Sequence, residues 1–181
     1  MSATPLPTEA TEIHDLCREW LAEFSKALVC NDASAIADLF QDASHWRDVL
    51  AFTWHLTTVN RAQELASSLC AAQTATLATG FALDAERTPP RRVTRAGTEC
   101  LEAIFQFETA LGRGDGVFRL VPGPNGPTGW TFHTALQELK GFEEQIGWNR
   151  PKGESYARDF GGPNWLDQRD AASAYTERDP A

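Results

Sequence analysis

No segment of this 181-residue chain approaches the roughly 20 consecutive apolar residues that a membrane-spanning helix needs, so no membrane partner is expected. Basic charge is scarce too: 16 Lys and Arg stand against 25 Asp and Glu, a formal net charge of -9. Phosphate neutralisation dominates nucleic-acid affinity, so nucleic acid is not an expected partner. Cysteine is thin and unpaired in pattern. The four, at 17, 30, 70 and 100, form no C-x-x-C motif, and three of them fall within apolar patterns, which points to reduced thiols that act there as small hydrophobes. The N-terminus MSATPLPTEATE lacks both the basic start and the apolar run of a signal peptide, so a cytoplasmic location is expected. No metal is expected either, because His45, His55 and His133 include no close-spaced ligand pair.

The chain also lacks a nucleotide fingerprint. GRGDG at 112–116 reads as a turn between two strands, whereas cradling a phosphate requires a strand before it and a helix after it. No flavin or nicotinamide site is expected in this chain. The basic cluster Arg87, Arg91, Arg92 and Arg95, around Pro89-Pro90, reads as a solvated loop.

What is present is an ordinary globular composition, 42% hydrophobic and 23% charged, with ten Phe and six Trp that call for a large apolar interior. The length suits one domain plus extensions. Residues 1–10 read as a flexible lead-in, 11–141 as the domain and 142–181 as an extended tail or linker, pinned by Trp148, Tyr156 and Trp165.

Along the domain, Ile13, Leu16, Cys17, Trp20, Leu21, Phe24 and Leu28 recur at helical spacing, which predicts an amphipathic helix over 12–29. Asp32 caps a short second helix. Two short strands follow, at 44–48 and 54–59, and then a third helix to about Ala72, with Asn60 and Gln63 as a capping-box-like start. Long strands are expected at 74–83, 98–111, 116–121 and 129–139, separated by GRGDG and the Pro/Gly-rich PGPNGPTG. Helices followed by an antiparallel meander indicate an α+β domain, three helices covering one face of a strongly curved sheet.

That order resembles the nuclear transport factor 2-like, or SnoaL-like, fold, a cone of sheet around an internal pocket. More specifically, HWRDVLAFTWHL at 45–56 resembles the WRD-x-LAFTW segment near the N-terminus of a group of bacterial and fungal flavin-containing monooxygenases. GWTFHTALQELKGFEEQIGWNRPKG and NWLDQRDAASAYTERDP are similar to later segments of that group. The likeness covers roughly residues 10–180. In those enzymes the DP is followed at once by the FAD-binding strand and glycine fingerprint, whereas here Pro180-Ala181 ends the sequence. The resemblance implies an accessory domain whose FAD and NADPH would belong to a flavoprotein part or partner. It also implies a homodimer and a hydrophobic small molecule in the pocket. The group often has an acid where this chain has His55.

Strand alternation over 44–48 places Trp46 and Asp48 on one face and His45 and Arg47 on the other. In domains of this fold a carboxylate and an aromatic on the first strand commonly face the cavity. Asp48 is therefore the general-base candidate, with His55 and His133 as acid and base partners. Trp46, Phe52, Trp54, Phe107 and Trp130 are the candidate substrate wall. The structural alternative has Asp48 capping the following turn or pairing with Arg47 or Arg61. On 98–108, Leu101, Ala103, Phe105 and Phe107 share the aromatic face, while Glu102 and Glu108 read as surface acids. A cofactor-free isomerase, cyclase, dehydratase or epoxide hydrolase and a non-catalytic dimerisation module are the rival functions.

Overall fold

The computed structural model describes residues 8–147, 150 and 162–173. The chain divides into two units at 143/144. In the first, α1 (Glu9–Val29) starts at Thr8, whose side chain accepts from the Thr11 amide, and buries Ile13, Cys17, Trp20, Leu21, Phe24 and Leu28. These are the residues the periodicity selects, apart from Leu16, which stays 40% exposed. Helix α2 (Ala33–Asp38) is capped by Asp32 as expected.

Next come β1 (Phe40–Val49), β2 (Leu56–Asn60), α3 (Ala62–Thr76), β3 (Thr79–Leu83), β4 (Arg91–Arg95), β5 (Thr98–Glu108), β6 (Gly112–Val121) and β7 (Thr128–Leu139). They form one curved, unclosed seven-stranded sheet in the order β2-β1-β7-β6-β5-β3, with β4 also paired to β5. Strand β1 runs parallel to β7, while the other pairings are antiparallel. Helices and the inner sheet face enclose one core, in which Trp20 lies against Phe24, Phe40, Phe118 and Phe132. The architecture is α+β.

Local expectations fail where tertiary packing intervenes. GRGDG is not a turn: all five residues lie in β6, and the turn is Thr109-Ala110-Leu111. A Cβ on Gly114 would sit 2.5 Å from the Phe107 ring, and one on Gly116 would collide with the Phe105 ring and the His133 carbonyl. The alternating glycines leave room for two Phe rings of β5 to lie across β6. Asn60 does not cap α3. Its side chain bonds His45 Nδ1 at 2.7 Å, and Arg61, at φ +71°, takes the cap position without a side-chain hydrogen bond. Helix α3 extends to Thr76, over the start of the strand expected at 74.

The basic cluster is no loop either. Arg91, Arg92 and Arg95 belong to β4, where their carboxylate partners hold a strand that is poor in apolar residues. In the second unit, part of the segment expected to be extended is helical. Helix α4 (Trp165–Ala172) is held by a reciprocal capping box between Asn164 and Asp167. Trp165 is 70% exposed; Trp148 and Tyr156 lie outside the described residues.

Candidate functional site

The parity expected for β1 holds. Ser44, Trp46 and Asp48 are buried on the inner face, and His45 and Arg47 are exposed on the outer. Asp48 nevertheless does not face an open cavity. Its Oδ1 accepts from the Thr134 hydroxyl at 2.7 Å, and its Oδ2 accepts from the amides of Phe52 (3.0 Å) and Thr53 (2.8 Å) and from the Thr53 hydroxyl (2.8 Å). Four donors converge on one fully buried carboxylate. The cause is the tight chain reversal after Val49, where Leu50 and Trp54 adopt positive φ (65° and 56°) and the loop amides point back toward β1. Of the two roles open to Asp48, the geometry is that of a turn cap.

The expected internal pocket is filled by the chain's own rings. Trp46 meets Phe52 edge-on at 5.7 Å, Phe52 meets Phe107 at 5.6 Å, and Phe107 stacks on Phe81 at 5.2 Å. From Phe81 the contacts continue to Phe24 and the Trp20 cluster. Trp46, Phe52 and Phe107 are thus neighbours, as a substrate wall would be, but they are buried against one another. The aromatic surplus that suggested a cavity is consumed in closing it.

The remaining sequence candidates scatter. Trp54 is 49% exposed beside a hollow of about 50 Å³ shared with Ala75, Thr76 and Leu111. His55 is exposed in the β1–β2 loop. Trp130 does not share the inner face with Phe132 and Thr134. It is the extra residue of a bulge, since β6 pairs Arg119 with Thr131 and Leu120 with Gly129. His133 is half-buried on the outer face, away from Asp48's cap, so the three proposed catalytic residues do not assemble.

What the structure assembles instead lies outside the cone. Two cross-strand rows run over the outer sheet face: Thr58, Arg47, His133, Val117 and Ile104, and beside it Asn60, His45, Thr131, Arg119, Glu102 and Arg91. An open groove of about 440 Å³ lies over the face of these strands, lined by His45, Arg47, Thr58, Val117, Arg119, Thr131, Phe132 and His133. Arg119 is locked by Glu102, with Nε at 2.9 Å and a second guanidinium nitrogen at 2.8 Å. Arg91 and Arg95 bond the same carboxylate. Burial works to raise the Glu102 carboxyl, but bonds from Arg95, Arg91 and Arg119 outweigh it and hold the group down to about 2.

Glu102 is therefore no surface acid but a buried anion with three cationic partners. Glu108 pairs with Lys140 at 2.9 Å. Arg47 donates to the Thr58 hydroxyl at 3.0 Å and has no carboxylate partner among the described residues. Burial lowers the His133 imidazole from its ordinary value; Asp115 and Asp48 oppose this, and Arg47 and Arg119 add to it.

No protein-family model matches this chain, and no curated protein matches it. Solved structures do. A cystatin-like-fold domain of unknown function from Nostoc punctiforme aligns with a TM-score of 0.54 at 13% identity, over 93% of this chain and 96% of that one. A nuclear transport factor 2-like superfamily protein from Salmonella enterica aligns at 0.51 and 13% identity, over 78% and 98%. The chain has the nuclear transport factor 2-like fold. A protein of the same fold from Streptomyces avermitilis, with a provisional dehydratase designation, aligns at 0.50 and 14% identity, over 72% and 99%.

Within this nuclear transport factor 2-like domain, the outer groove is what sequence reading missed. The signal was present in the alternation of His45 and Arg47 opposite Trp46 and Asp48, but its partners Arg119 and His133 come from strands more than 70 residues away. The four cysteines are free thiols, and burial pushes that of Cys17 up to about 12. Among the described residues, no helix is long and apolar enough to cross a membrane and no cluster of ligating side chains suits a metal.

Proposed function

We propose that this chain is a small-molecule-binding accessory domain, related to the one that precedes the flavin-binding part of flavin-containing monooxygenases, and that it performs no redox chemistry itself. FAD and NADPH belong, in this reading, to a flavoprotein part or partner. The carrying observation is the Asp48 carboxylate: four donors engage it under a layer of Trp46 and Phe52, which suits a scaffold and leaves little capacity for proton abstraction. Ligand binding then falls to the outer groove, whose volume is within the range of small-molecule sites. The likeness of residues 45–56 to the monooxygenase segment supports the lineage.

The test is a fragment screen on the full chain with signals followed at side-chain resolution. Ligands should perturb His45 and His133 and leave the Trp46 indole unmoved. A ligand that shifts Trp46 and Phe52 would restore the internal pocket and overturn this reading, and a purified chain carrying tightly bound FAD would overturn its non-redox part. One observation favours a cofactor-free acid–base enzyme as second reading: the His133 imidazole is open to the groove and biased toward its neutral form. In that case turnover would be lost in His133→Gln and kept in a folded Asp48→Asn.

A further inference from the structure

We infer that the outer-face groove is a site for a small organic carboxylate, with Arg47 as its anion-binding residue and Val117 as the support for the ligand's apolar body. The inference rests on the reading of the groove as the ligand site and names the class of ligand.

The charge pattern carries it. This chain is acidic, with a net charge of -9, yet the outer face of its sheet carries Arg91, Arg95 and Arg119 on the single carboxylate of Glu102 and, apart from them on β1, Arg47. Of the two groove guanidiniums, Arg119 has its charge answered by Glu102 at 2.8 Å. Asp115, the nearest other acid on β6, is occupied by Arg87 at 3.2 Å and by the Gln137 amide at 2.7 Å. Arg47 has no carboxylate partner among the described residues, and its bond to Thr58 at 3.0 Å uses one of five donors and steadies the side chain. A guanidinium so held offers a planar pair of N–H groups that matches a carboxylate's two oxygens.

At the β1 end of the groove Arg47 is a single guanidinium, and one planar fork there matches the two oxygens of a carboxylate monoanion. The register fixes the rest. Arg47 is opposite His133, which is opposite Val117, so a carboxylate on Arg47 leads its attached carbons across the imidazole onto an apolar side chain. Thr131, beside Arg119 at 3.4 Å, supplies a hydroxyl at the groove's other row.

His133 then reports on occupancy. The charged and titratable groups on its face are His45 and Arg47 from β1 and Asp115 and Arg119 from β6, and Asp48 acts on it through the sheet from the inner face. An anion on Arg47 cancels part of the positive field that disfavours the imidazolium, so binding raises the His133 titration midpoint. By linkage, binding tightens as pH falls through that midpoint.

The experiment titrates the full chain with benzoate, and separately with neutral benzyl alcohol, while following the His133 ring signals by NMR. Saturable benzoate binding in the range of about 1–10 mM is expected for so small a probe, with an upward shift of the His133 midpoint. Arg47→Gln should weaken it at least tenfold and Arg47→Lys less, whereas Arg113→Gln, in its separate pairing with Glu138 and Glu143, should change nothing.

Equal saturable binding of benzyl alcohol, or benzoate binding unchanged in Arg47→Gln, would overturn the carboxylate assignment and leave the groove as ligand site. Absence of saturation by either probe would overturn both. If sedimentation shows a dimer and His133 is untouched by benzoate, a second copy occupies the face and the inference fails.

Discussion

The Trp46 indole and the Asp48 carboxylate, two residues apart on β1, are joined through one hydroxyl of β7: Trp46 Nε1 donates to Thr134 Oγ1 at 3.0 Å, and that hydroxyl donates to Asp48 Oδ1 at 2.7 Å. All three residues are fully buried. Thr134→Val keeps the shape and removes both bonds, leaving an indole N–H without an acceptor and a carboxylate short of a donor. A loss of about 2–4 kcal/mol in urea unfolding is expected, with Thr134→Ser recovering most of it. A neutral Thr134→Val would show that the relay is incidental.

The β1–β2 loop separates packing from display. Phe52 is 3% exposed between Trp46 and Phe107, so Phe52→Ala should cost about 3–5 kcal/mol. Trp54, two residues on and half exposed, should cost less than about 1 kcal/mol on replacement by Ala. Thermal unfolding of the two variants side by side checks the order.

Gly116 is the most confined of the three glycines of β6. The Phe105 ring and the His133 carbonyl occupy the space where its Cβ would project, and both belong to the closed core and its sheet. Gly116→Ala should destabilise by about 1–3 kcal/mol or more through overpacking, read as a lowered melting temperature. Gly126→Ala, at φ +107° in the β6–β7 turn with open space around it, should act through backbone strain alone and cost less.

Glu102 makes stability depend on pH below the carboxylate range. Its folded value of about 2 lies beneath the ordinary value of 4.5, so its contribution is complete above pH 4.5 and disappears as pH falls toward 2. Undiminished, that difference is worth about 3 kcal/mol, but the Arg side chains are 30–52% exposed, and solvent screening reduces the expectation to about 1–2 kcal/mol. Urea midpoints of the native chain and Glu102→Gln should differ most near pH 5 and converge near pH 2. A gap that widened on acidification would contradict the assignment.

Ser44 offers the opposite effect. Its hydroxyl is buried and has no hydrogen-bond partner among the described residues. Ser44→Ala removes an unsatisfied polar group and should stabilise the chain by about 0.5–1 kcal/mol, seen as a higher urea midpoint.

Short-range pattern decided much of this protein. Helical spacing from Ile13 to Leu28 set the buried stripe of α1, strand alternation divided Trp46 and Asp48 from His45 and Arg47, and the same alternation put Phe105 and Phe107 on the inner side of β5. Those features follow from backbone periods of 3.6 and 2 residues, which any stretch of chain carries within itself. What each side chain does was settled by partners distant in sequence. Thr134, 86 residues from Asp48, helped turn a candidate base into a turn cap.

Strands β4 and β6 brought three arginines onto Glu102 and made a buried anion of an apparent surface acid. Phe105 and Phe107 drew GRGDG into a strand, because only residues without a Cβ fit beneath their rings. The groove beside Arg47 and His133 exists only once β1, β7 and β6 lie side by side, since its walls are a property of register and not of any one segment.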